Sequence, residues 1–306
     1  GTDHHPAAEG FRSENEGFMH ACGHDAHATV GVGVVDAIAE SDFSGTLKVF
    51  FQPSEEIVSG GEPMAEGGHL DDVEYLLALH VGLDHPTGEV VAGVDGFLAQ
   101  QHFRAEFSGQ SSHAGGHPER GRNAVQAMAT AIQNLYAIPR HDAGATRVNA
   151  GLVGGGTASN IVPEEAFIEG EVRGETAELR DYMDDHAQRM LRSAAEMHDC
   201  EVEVEYGGRA PGGESDDALA GIVADVAGGV EGVDSILDSD DLGGSEDATY
   251  LMQHVQDRGG LAAFVCVGTD HPGGHHSPTF DVDEETIRIA VDVFSGTIER
   301  LGREAV

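Results

Sequence analysis

Positive charge is what this sequence has least of. Sixteen Lys and Arg stand against 55 Asp and Glu, the formal net charge is -39, and Lys48 is the only lysine. Such a surface repels phosphate backbones and anionic lipid, which argues against nucleic-acid or membrane binding through bulk electrostatics. Self-repulsion of this size is relieved when salt screens it, so a halophilic protein from a high-salt cytoplasm is expected. Long apolar runs are missing too. None reaches the roughly 20 residues of a membrane span, and no signal-peptide pattern opens the chain, so the expected location is cytoplasmic. Cysteine is scarce: Cys22, Cys200 and Cys266 are odd in number and far apart. That argues against a disulfide framework and fits a reducing compartment. Cys200 and Cys266 read as small packing residues.

The 306 residues suffice for two domains. Ala28–Ala39 reads as a buried helix starting near Asp25, and Thr46–Gln52 and Glu74–Val81 as buried strands of a parallel sheet. From about Phe97 the texture changes. Gln101–Phe107, Thr146–Val153, Glu165–Val172 and Glu201–Tyr206 alternate apolar and polar, with helices predicted over 123–138 and 177–197. This is a β-α-β-β-α-β order with one open sheet face. Helices are expected again over 217–227, 245–255 and 283–301. The predicted fold class is α/β: a parallel-sheet catalytic domain (1–97 and 208–306) interrupted by a smaller α+β domain (98–207).

Residues of metal-binding type gather near the ends of the apolar runs. His20-Ala-Cys-Gly-His-Asp-Ala-His27 lies ahead of the first helix, and Glu55-Glu56 follows Val49-Phe50-Phe51. His80 closes Leu76–Leu79, and His275-His276 lies beyond Phe264–Val267. In open α/β sheets ligands bind outside the carboxyl ends of strands. Cys22 and His24 are two apart and would point about 200° from one another on a helix. Only a turn can bring them to one site, and Gly23 supplies the freedom for it. Each signal alone has an ordinary alternative, such as a core histidine or a solvated acid pair. Their joint occurrence points to metal-assisted hydrolysis.

Met19–His27, Gln52-Pro53-Ser54-Glu55-Glu56, Leu79-His80-Val81 and His276–Phe280 together resemble the peptidase M20 amidohydrolases, in the branch with Cys in the metal motif. Asn160–Pro163, Glu171–Gly174, Ala194–Cys200 and Gly244–Ala248 resemble members of that branch that cleave aroyl-glutamates. The resemblance covers nearly the whole chain. It implies two divalent cations, Mn²⁺ or Zn²⁺, held by Cys22 as a bridging thiolate with His24, Glu56, His80 and His276. Glu55 would be the general base that takes a proton from the attacking water. The inserted domain would act as lid and dimerisation domain, with His113 reaching the partner's site to stabilise the oxyanion. Asn160 and Arg173 would hold a substrate carboxylate. The implied substrate is a small N-acyl or N-aroyl amino acid such as aminobenzoyl-glutamate, in a homodimer or with a second subunit type.

The family carries a longer segment ahead of the metal motif, so a chain short on that side is expected, lacking a sheet edge and part of the site wall. That motivates two competitors: a non-catalytic or truncated subunit binding a partner through the lid domain, and a dipeptidase of the same family.

Overall fold

Apolar residues four apart on Ala26, Val30, Val34 and Ile38 give helix α1 (His24–Ala39) its buried stripe. In the computed structural model, which describes residues 13–82, 84–270 and 273–304, that stripe packs onto a four-stranded sheet. The first twelve residues of the predicted catalytic segment lie outside the described ones. The sheet contains β1 (Tyr75–Val81), β2 (Glu89–Asp95), β9 (Ser235–Asp241) and β10 (Leu261–Val267), in the order β1-β10-β2-β9. β1 and β10 run parallel, as do β2 and β9, while β10 and β2 are antiparallel. The sheet is therefore mixed within an α/β architecture. Helices α1, α5 (Asp217–Ala227) and α7 (Glu285–Glu304) cover one face through Val34, Val223, Ile289 and Val293. Helices α2 (Gly61–Glu66) and α6 (Thr249–Gln256) cover the other through Ala65, Met252 and Val255. Covering on both faces explains why β10 reads as an unbroken apolar run. Among the described residues no helix is long and apolar enough to cross a membrane.

One expected strand is absent. Residues 46–52 form no part of a sheet, and among the described residues none of them makes a backbone–backbone hydrogen bond. An apolar run becomes a strand only when a neighbour completes its ladder. Here a cavity of about 990 Å³, lined by Leu47, Val49, Phe51, Leu77 and Leu79 among others, lies along the segment and β1. Phe51 remains 57% exposed as a result.

The second sheet is antiparallel throughout, in the order β5-β7-β3-β8. Its strands are β3 (Ala99–Ser108), β5 (Thr146–Gly155), β7 (Glu165–Gly174) and β8 (Glu201–Ala210). Helices α3 (Ala124–Tyr136) and α4 (Ala177–Met197) lie on one face around Phe107, Leu135, Ile168, Met183 and Leu191. Asn123 caps α3 by accepting from the Gln126 N–H at 3.0 Å. The order β3-α3-β5-β7-α4-β8 matches the predicted β-α-β-β-α-β sequence. A small extra pair, β4 (Ser112–His113) with β6 (Ile161–Val162), was not expected from the alternation pattern. Two-residue strands carry too little periodicity to register.

Candidate metal centre

The carboxyl ends of β1 and β10 converge on one cluster. Gly23 caps α1 in the left-handed region (φ 88°), so the chain turns between Cys22 and His24 and both side chains reach the same place. A Cβ at Gly23 would lie 2.4 Å from Val81 Cγ2, so only glycine lets this turn sit against β1. His80 is the penultimate residue of β1, and its Nε2 stands 3.5 Å from Cys22 Sγ. The loop after β10 brings in His276, itself left-handed at φ 60°, whose N–H donates to the Ala21 carbonyl at 2.7 Å. Glu55 and Glu56 occupy a single 3-10 turn, Glu55–Ile57, between left-handed Ser54 (φ 57°) and Val58 (φ 52°). A β-branched residue at positive φ is unusual and costs on the order of 1–3 kcal/mol, which functional sites tolerate more often than other places.

Cys22, His24 and His80 form one group whose donor atoms all lie within 4.8 Å of one another, and Cys22, Glu56 and His276 form another. The two groups share only the sulfur. His24, Glu55 and Glu56 make a third. Individual spacings are 3.4 Å from His24 Nε2 to Glu55, 3.6 Å from His24 Nδ1 to Glu56, and 3.5 Å from His276 Nε2 to Glu56. Cys22 and His80 are buried, His24 and Glu55 half-buried, and Glu56 and His276 exposed, so the cluster has a closed floor and an open mouth.

Backbone contacts prepare the imidazoles as ligands. His80 Nδ1 donates to the Val81 carbonyl at 2.8 Å, which leaves the Nε2 lone pair directed at the cluster. His275 Nε2 donates to the same carbonyl at 3.2 Å, and the Val81 N–H donates to His27 Nε2 at 2.9 Å. Burial holds His80 neutral, with a pKa lowered to about 3, and burial likewise lowers His27 well below the usual range. Neutral imidazole is the ligand form. Burial, followed by the charges of Glu56, Glu246 and Glu55, pushes the Cys22 thiol up to about 12. A divalent cation reverses that direction, because a coordinating thiol gives up its proton. Sulfur, imidazole and carboxylate donors in this arrangement fit a pair of divalent cations, and they do not choose between Mn²⁺ and Zn²⁺.

The other predicted site residues lie in the antiparallel part. His113 is exposed on β4, paired with Ile161, and the next N–H, of Ala114, donates to the Asn160 carbonyl at 2.9 Å. His113 and Asn160 are thus neighbours. Arg173, on β7, already gives its fork to Glu171 through Nε at 2.9 Å and Nη2 at 3.0 Å. Among the described residues, no hydrogen bond or ion pair joins these three to the metal cluster. Sequence reasoning gave no role to Glu246 and Asp247, although it singled out their motif. Burial raises the pKa of both, and Asp247 accepts from the N–H groups of Gly60 and Gly61 at 2.9 and 2.8 Å. Paired acids just ahead of a helix, in a motif already singled out, were the available signal.

The model of peptidase family M20/M25/M40 matches residues 2–300. The chain is 40% identical over 297 residues to indole-3-acetyl-aspartic acid hydrolase of Enterobacter agglomerans, covering 96% of this chain and 68% of that protein. It is 39% identical over 299 residues to one of the named subunits of p-aminobenzoyl-glutamate hydrolase of Escherichia coli, covering 97% and 69%. Among solved structures, an aminobenzoyl-glutamate utilization protein from Klebsiella pneumoniae superposes with a TM-score of 0.82 at 38% identity, over 91% of this chain and 68% of that one. With a converging set of thiol, imidazole and carboxylate donors, the chain belongs to peptidase family M20/M25/M40 and is a metal-dependent amidohydrolase.

Proposed function

We propose that the chain cleaves the amide bond between an aromatic acyl group and an acidic amino acid. The names of two relatives support this, since indole-acetyl-aspartate and aminobenzoyl-glutamate share that construction. In this reading Cys22, His24, Glu56, His80 and His276 hold two divalent cations, Cys22 as the bridging thiolate. The observation that carries it is the pair of three-donor groups overlapping only at Cys22. Bound there, the cations would polarise the scissile carbonyl and acidify water. Glu55 takes one proton from the attacking water as the C–O bond forms, then delivers it to the nitrogen as the C–N bond breaks.

Residues 98–207 act as a lid and dimerisation domain between catalytic segments 1–97 and 208–306; the separate hydrophobic cores of the two sheets support that division. His113 donates a hydrogen bond to the oxyanion in the site of a second copy, consistent with its exposure and its lack of contact with its own cluster. Asn160 and Arg173 grip the substrate carboxylate, for which Arg173 has to share its fork with Glu171 or release it.

Glu55→Ala should abolish hydrolysis of aroyl-glutamates and aroyl-aspartates while two metal ions per chain remain bound. Undiminished turnover would end this mechanism. A metal-loaded wild-type chain that hydrolyses no acyl- or aroyl-amino acid would instead mark a non-catalytic chain that serves to bind a partner. Action on dipeptides alone would mark a dipeptidase. Light scattering tests the homodimer. The Escherichia coli relative carries the name of one subunit within a hydrolase. A monomer that assembles only with a second polypeptide is therefore the result that would displace the homodimer.

A further inference from the structure

The loop Ser111–His117 closes on itself around one side chain. Ser112 Oγ donates to the His117 carbonyl, and the His113 carbonyl accepts from the N–H groups of Gly116 at 3.2 Å and His117 at 3.0 Å. On the other side the His113 backbone pairs with Ile161, and the Ala114 N–H is held by the Asn160 carbonyl. Inside this turn two successive N–H groups, those of Gly115 and Gly116, converge on His113 Nδ1 at 3.1 and 2.9 Å. An exposed side chain ordinarily hops between rotamers within nanoseconds. His113 is exposed, yet its ring is tied at one nitrogen by two backbone donors.

A ring nitrogen that accepts a hydrogen bond cannot also carry a proton, so in the neutral imidazole the proton sits on Nε2. Among the described residues no hydrogen bond or ion pair reaches that nitrogen. We propose that Gly115 and Gly116 are positioning residues, whose N–H groups lock His113 in the Nε2–H tautomer and present that proton outward as a donor. This rests on the reading of His113 as the donor to the oxyanion. The other tautomer would aim a lone pair at the developing negative charge and repel it. Ring orientation and proton placement are thus set by the fold before substrate arrives. Neither glycine has a positive φ, and a Cβ on Gly116 would stand 3.4 Å from Nδ1, an ordinary contact. What the loop needs at these two positions is the N–H, which proline alone lacks.

Nitrogen NMR of the zinc-loaded chain carrying isotope-labelled histidine, at a pH well above the ordinary histidine range, reads the tautomer directly. The His113 signals are identified by their loss in H113F. We expect a bare Nδ1 and a protonated Nε2 in wild type. G116P removes one of the two donors and G116A keeps it; G115P serves if G116P does not fold by circular dichroism. The proline variant should show mixed tautomers and lose roughly 10–100-fold in kcat, with KM within about twofold. G116A should keep the wild-type tautomer and stay within a few-fold in kcat. A proton on Nδ1 in wild type, or averaging between both tautomers, would overturn the proposal, as would an unaltered tautomer and kcat in the proline variant. Full kcat in H113F would mean that the oxyanion reading has failed; the wild-type signals still decide whether the loop locks the ring.

Discussion

Replacing Gly23 with alanine puts the site's construction to a quantitative test. At φ 88° an L-residue pays roughly 1–2 kcal/mol for the left-handed conformation. Its Cβ would also lie 2.4 Å from Val81 Cγ2. Val81 cannot swing away freely, because it is fully buried and its backbone is bonded to His27, His80 and His275. Overpacking of this kind costs about 1–3 kcal/mol, giving a total of about 2–5 kcal/mol. Gly259→Ala supplies the control: φ is 85° there, yet nothing lies within 4 Å of the added methyl, so only the conformational part applies. At roughly 2–4 °C per kcal/mol for a catalytic part of this size, Gly23→Ala should melt about 2–12 °C below Gly259→Ala. With no tryptophan in the chain, far-UV circular dichroism is the suitable probe. Because the clash moves the carbonyl that orients His80, chelator competition should also find metal affinity reduced by roughly 10–100-fold. Equal melting of the two variants, with wild-type metal affinity in both, would refute the idea that this contact shapes the cluster.

Other expectations follow from charge and burial. Raising KCl from low to molar concentration should raise the melting temperature, since screening relieves a net charge of -39; equal stability at both ends would contradict it. Stripping metal with a chelator should lower the melting point, and restoring cation to about 100 times its Kd should return roughly 2.7 kcal/mol, read by calorimetry. Asp247→Ala removes the acceptor of two buried N–H groups and should cost about 2–6 kcal/mol, measured by urea denaturation. Glu89 accepts from Ser235 Oγ and pairs with His85, each at 2.7 Å, which holds its carboxyl below the usual range. On acidification the unfolded chain therefore binds this proton first, and the contribution present at neutral pH is lost as pH falls through the carboxylate range. Glu89→Gln should show a shallower acid limb in a plot of stability against pH.

Much of the fold is legible because burial leaves a periodic trace. The helical spacing of Val125, Met128, Ala129, Ile132 and Leu135 predicts α3, although the stripe the fold buries is Ala124, Ala127, Met128, Ala131 and Leu135, and the apolar run Phe264–Val267 predicts the strand that becomes β10. The candidate ligands are legible because a Cys-Gly-His turn and acids or imidazoles at strand ends are rare in combination. Other features leave no such trace. β9 reads Ser-Ile-Leu-Asp-Ser-Asp-Asp and lies at the sheet edge, where acidic residues are accommodated and strand propensity is weak. Thr46–Gln52 has the composition of a strand, but pairing is a property of the neighbour and not of the run itself. Asp247 is invisible as the acceptor for Gly60 and Gly61 until folding brings the two loops together.

The backbone N–H of Arg209, at the end of β8, donates to the carbonyl of Val58 at 3.1 Å, three residues past Glu55. The outgoing link of the antiparallel sheet is thereby fastened to the short turn that carries the acid. Any displacement of that sheet would therefore load the turn on which Glu55 and Glu56 stand.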